Sequence, residues 1–190
     1  MEILNSIQVK DIISQGRSAS EHVITVMLDE IESKHPGVYR VIYGEPSDAI
    51  ASINEDMANL YLDLSCDVIW FFIKAFGKPP SIENEEEWAL NKLSLIDIEL
   101  KSLTNEISMN EKIRNNLKDR FLKRSVETTV QLDLLLHLEN EVTKYSSFKK
   151  ARSTASQITK NFLFVLVRLM GDLYSYEAEK KAYRDRDAHH

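Results

Sequence analysis

An all-α chain, folded as a single antiparallel bundle of about six helices around one buried hydrophobic helix, is what this sequence predicts, and three observations carry that expectation. After Pro80 the only glycine or proline in the chain is Gly171, in a stretch rich in Leu, Glu, Lys, Asn and Ile, a composition that favours long helices over strands. The segment Leu60 to Phe76, LYLDLSCDVIWFFIKAF, is apolar apart from Asp63, Ser65, Asp67 and Lys74, and it is too short and too charged to span a bilayer. At 100° per residue Asp56, Asp63, Asp67 and Lys74 fall on one narrow stripe of that helix, which leaves Leu64, Val68, Trp70, Phe71 and Phe72 to face the interior. Toward the C-terminus, Ala151, Ala155, Ile158, Phe162, Val165, Leu169, Leu173 and Tyr176 recur at spacings of three and four, an almost continuous helical stripe.

The elements follow in order. Ile3 to Gln15 reads as a short helix closed by Gly16, and Ser18 with Glu21 has the S-x-x-E capping-box spacing of a second helix running to Lys34. His35, Pro36 and Gly37 end it, and VYRVIYG is read as a helical turn stopped by Gly44. Ser47 is the expected N-cap of the central helix, Asp48 suits its dipole, and GKPP terminates it. Ser81 is expected to cap a helix whose first turns are acidic and whose Leu93, Leu100 and Ile107 repeat every seven residues, a packing seam that predicts self-association. A second capping-box spacing at Ser108 and Glu111 predicts a break there, followed by a helix to about Lys144 and another break at Ser146 and Ser147. The domain is expected to end at Tyr176, with residues 177–190 as a polar tail.

Composition bounds the function. With 190 residues, 43% hydrophobic and 28% charged, the chain is long enough to bury a core without metal or disulfide. Cys66 is the only cysteine, which excludes an internal disulfide and a cysteine-built zinc site, and the N-terminal MEILNSIQVKD lacks the pattern of a secretory signal, so a cytoplasmic location is expected. The net charge of −6 is unevenly divided. Residues 1–108 carry 8 Lys/Arg against 19 Asp/Glu, and residues 109–190 carry 16 against 11, so an acidic first part precedes a basic second part.

Two clusters are candidates for function. Asp63 and Asp67, one helical turn apart on a mostly apolar helix, have the spacing to hold a divalent cation, with Asp29 and Glu32 on an earlier helix as the remaining ligands. Asp29-x-x-Glu32 together with Asp67 resembles the all-α nucleotide pyrophosphohydrolases of the MazG and dimeric dUTPase type, which place E-x-x-E and E-x-x-D around magnesium. Here Asp29 stands for the first glutamate and Leu64 occupies the position three before Asp67. The resemblance implies a magnesium-dependent hydrolase as the alternative function. The R-x4-H spacing at Arg17 and His22 is similar to that of HEPN ribonucleases but is expected by chance at this Arg and His content. The second cluster, KIRNNLKDRFLKR, holds Lys112, Arg114, Lys118, Arg120, Lys123 and Arg124 against one acid and suits an acidic protein or a second copy of the chain. With an acidic overall balance and no nucleic-acid module, binding of DNA or RNA is not expected, nor is a membrane partner. The function expected from this sequence is therefore a non-catalytic helical binding or regulatory protein working through protein–protein contacts, without a cofactor.

Overall fold

The computed structural model describes residues 1–103, 110–113, 115–116 and 131–187. Among these residues the chain is helical throughout, with no strand, and it forms nine helices: α1 (Ser6–Arg17), α2 (Glu21–Lys34), α3 (Pro36–Tyr43), α4 (Glu45–Ala51), α5 (Glu55–Phe76), α6 (Glu85–Leu103), α7 (Leu132–Ser147), α8 (Lys150–Ser153) and α9 (Ser156–Asp187). The count exceeds the expected six because short helices occupy stretches that read as connections. Pro36 and Pro46 sit in the first turns of α3 and α4, where a missing N–H costs nothing and φ is already set for a helix.

Several boundaries differ from expectation, each for a local reason. Asn5 caps α1: its Oδ1 accepts from the N–H of Ile7 (3.0 Å) and Gln8 (3.1 Å), while Gln8 Oε1 accepts from Asn5 N–H at 2.9 Å. Gly16 does not close that helix. It lies inside it, where a Cβ would sit 2.7 Å from Trp70 Cδ1, and Trp70 Nε1 donates to the Ile12 carbonyl at 3.0 Å. The Ser18/Glu21 capping box is not formed, because the Ser18 hydroxyl donates back to Ser14 O (2.8 Å) and Ser20 takes the N-cap position of α2. Ser47 lies within α4, and Asn54 caps α5 by accepting from Met57 N–H at 3.0 Å. Gly77, at φ +83°, ends α5 in the left-handed region that glycine enters at no steric cost. The helix expected to be capped by Ser81 starts at Glu85. The expected break at Ser108 lies outside the described residues. The last helix passes Tyr176 and continues to Asp187, as its run of Ala, Glu and Lys favours.

The core gathers on α5, whose Met57, Tyr61, Leu64, Val68, Ile69, Phe71 and Phe72 are buried against α9, α1, α4 and α7. At its C-terminal end Phe72 and Phe76 meet Tyr174 of α9 with ring centroids 5.5 and 5.9 Å away, Phe71 packs on both phenylalanines at 5.6 and 6.2 Å, and the Tyr174 hydroxyl donates to Gly77 O at 2.6 Å. Burial of each such ring contributes about 2–3 kcal/mol. No helix among the described residues is long and apolar enough to cross a membrane.

Candidate functional site

The polar stripe of α5 becomes a row of separate fastenings. Asp56 accepts from Arg152 of α8 (Nε 2.9 Å, Nη2 2.7 Å) with Lys149 at 3.4 Å, and Lys74 Nζ stands 4.5 Å from the centre of a Trp70 ring. Asp67, with a side chain 11% exposed, is gripped by Arg17 of α1 through Nε (3.1 Å) and Nη2 (2.7 Å). Burial pushes the Asp67 carboxyl above its ordinary range, and the Arg17 guanidinium opposes that shift. Asp63 is exposed.

The four carboxylates considered for a cation are not gathered. Asp29 and Glu32 are exposed on α2, where Glu30 takes the cations instead, from Lys34 (2.6 Å) and Lys78 (3.1 Å). Among the described residues no group of three or more His, Cys, Asp or Glu side chains is placed to hold a metal ion. Of the basic cluster, Lys112 is exposed, and Arg114, Lys118, Arg120, Lys123 and Arg124 lie outside the described residues. Of the heptad seam, Leu93 is half-buried on the core, while the Leu100 side chain and Ile107 are likewise outside the described set.

Three polar arrangements have no signature in the sequence, because each joins segments far apart in the chain. Arg17 also reaches Glu141 of α7 at 3.5 Å, beside His137, whose Nε2 is buried without a hydrogen-bond partner and whose pKa burial pushes down, so the ring is neutral at pH 7. Glu85 is buried and accepts from the N–H groups of Gly37 (2.7 Å) and Val38 (3.2 Å), closing the N-terminus of α3 from the first turn of α6. Arg168 and Asp172 of α9 are 0% and 1% exposed, with Lys92 Nζ of α6 3.5 Å from Asp172. Asp56, Asp67 and Glu85 are thus committed to holding helices together.

What remains open is apolar. Between α7 and α9 runs a groove of about 330 Å³, lined by Leu132, Leu135, Leu136, Leu138, Leu163 and Phe164 and bridged by an ion pair between Lys160 and Glu139 at 3.4 Å. Its origin is legible in the sequence. The run LDLLLHL carries more leucines than one core-facing stripe can bury: Leu134, Leu138 and Val142, at i, i+4 and i+8, fill the interior, and Leu132 and Leu136 are left 59% and 48% exposed. Such a surface can accept aliphatic or aromatic side chains from a partner beside the polar Glu139, Gln157, Lys160 and Asn161. Comparison with known proteins gives no match to this chain from family models, from curated proteins or from solved structures.

Proposed function

We propose that this chain is a non-catalytic helical binding or regulatory protein of the cytoplasm, a single antiparallel bundle built around α5, that acts through protein–protein contacts at the groove between α7 and α9. The observation that supports this reading is the groove itself, with Leu132 and Leu136 turned outward beside Leu163 and Phe164. Its volume suits a few bulky apolar side chains, as an amphipathic helix presents at successive turns. The commitment of Asp67 to Arg17, Asp56 to Arg152 and Glu85 to the α3 terminus supports the non-catalytic part of the reading.

Site-specific photo-crosslinking in cells tests it. A photoreactive residue replacing Leu136 is expected to give a discrete covalent adduct with a polypeptide, and the same residue replacing the exposed Glu32 of α2 is not. An adduct of twice the chain mass identifies the partner as a second copy. Absence of any adduct at Leu136, or equal adducts at both positions, overturns the assignment of the groove.

A second measurement separates this reading from the metal-dependent hydrolase. With Asp67 held by Arg17 and Asp29 and Glu32 exposed on α2, excess magnesium or manganese is expected to leave the melting temperature of wild type and of Asp67→Asn unchanged. A rise in wild type that is lost in Asp67→Asn makes the carboxylates a cation site and nucleotide hydrolysis the next assay.

A further inference from the structure

One end of the bundle carries a second kind of surface, away from the leucine groove. The turn between α7 and α8 places Phe148 outward, 70% exposed, and the turn between α4 and α5 places Ile53 outward, 47% exposed. The two turns are tied to each other: Asn54 Nδ2 donates to Ala151 O at 3.5 Å, and Asp56 takes both Arg152 and Lys149. Arg152 is held further by stacking over the Tyr145 ring, 3.9 Å from its centroid. Flanking Phe148 in the chain are the exposed Lys144, Lys149 and Lys150, while Arg152 is 11% exposed and neutralised by Asp56 and Glu55 is exposed on α5, so the exposed charge of these turns is mainly cationic on a chain whose net charge is −6.

We infer that this end of the bundle docks on the surface of a bilayer containing anionic phospholipid, with Phe148 and Ile53 entering the headgroup boundary and the lysines meeting phosphate and carboxylate headgroups. Two large exposed apolar side chains on turns that are tied to each other, one of them flanked in the chain by exposed lysines, match a partner that is anionic on its surface and apolar just beneath it. A ring left 70% exposed can enter a bilayer, which deforms around it, where a folded protein would have to supply a fitted pocket. A nucleic acid would call for a cationic track along the surface, whereas Lys144, Lys149 and Lys150 sit together beside one exposed aromatic ring. The expectation of no membrane partner rested on the lack of a spanning segment, and an element that lies on a bilayer needs none.

Flotation of the full chain with lipid vesicles tests this. Wild type is expected to float with phosphatidylcholine vesicles containing about one-third phosphatidylserine at about 0.1 M salt, and to stay below with phosphatidylcholine alone or at about 0.5 M salt. Phe148→Ser and Lys150→Glu, both at exposed positions, are each expected to lower the floating fraction at least about fivefold with an unchanged melting temperature, while Lys112→Glu leaves it unaltered. The inference is overturned if wild type does not float, if Phe148→Ser floats as well as wild type, or if Lys112→Glu is as damaging as Lys150→Glu.

Discussion

Glu85→Ala is expected to lower the unfolding free energy by about 3 kcal/mol, measured by urea denaturation at neutral pH. Helix α3 begins at Pro36, which has no N–H, so the first donors in need of partners are Gly37 and Val38, both buried. His35 at the N-cap offers no side-chain bond, and the Glu85 carboxylate fills that role from another helix, at 2.7 and 3.2 Å. Removing it leaves two buried N–H groups without acceptors, each costing about 1–3 kcal/mol. Glu85→Gln keeps one acceptor oxygen and resembles the protonated carboxyl, so it is expected to match wild type closely at acidic pH. The pH dependence has a definite sign. Burial raises the Glu85 carboxyl above its ordinary 4.5, opposed by the two backbone N–H groups. Its protonation-linked contribution is therefore full below 4.5 and is lost as pH rises through the folded value. The stability of wild type relative to Glu85→Gln should accordingly fall as pH rises through the folded value, and a relative stability that grows with pH would refute this account.

Glu85 also marks where the sequence stopped being informative. The helical class could be read from breaker frequency and periodicity, since both are properties of neighbouring residues. Glu85 lies 48 residues from Gly37, and in the sequence it is only one of several acids in a first helical turn, where the dipole already explains its charge. Gly16 misleads in a similar way: a glycine near the end of an amphipathic run signals a helix stop, but here it permits the indole of Trp70 to approach, a constraint 54 positions away. The apolar stripe of the last helix is wider than its spacing implied, because residues 166–173 are buried all round, with Arg168 and Asp172 among them. The carboxylate pattern on α5 was visible as a stripe, and its division into separate ion pairs was not, since Arg17 and Arg152 arrive from opposite ends of the chain. The leucine groove was not among the surfaces read from the sequence, although LDLLLHL holds more apolar residues than one helix face can bury.

Arg17→Gln is expected to cost about 2 kcal/mol at neutral pH, and Asp67→Asn in the same chain to return much of that loss. The guanidinium is 47% exposed and keeps part of its hydration, which puts the cost below the 3–5 kcal/mol typical of breaking a fully buried pair. The larger share of the cost falls on Asp67, whose side chain is 11% exposed and would keep its charge without its main partner. What would still face it is His137, neutral near pH 7 because burial lowers its pKa, together with the acidic Asp63. Converting Asp67 to the neutral amide removes the unpaired charge, so the double variant should be more stable than Arg17→Gln alone, and the coupling in the cycle should be well above the value for exposed pairs. Acid should mimic the second substitution. Without Arg17 the folded pKa of Asp67 rises further above 3.8, so the native state holds a proton that the unfolded chain has released. The stability of Arg17→Gln relative to wild type is thus restored as pH falls toward 3.8 and lost as pH rises through the folded value. Equal losses at acidic and neutral pH, or additive effects of the two substitutions, would mean that water already screens this pair and that α1 is held to α5 by Val9, Ile13, the Gly16–Trp70 contact and the Trp70–Ile12 hydrogen bond.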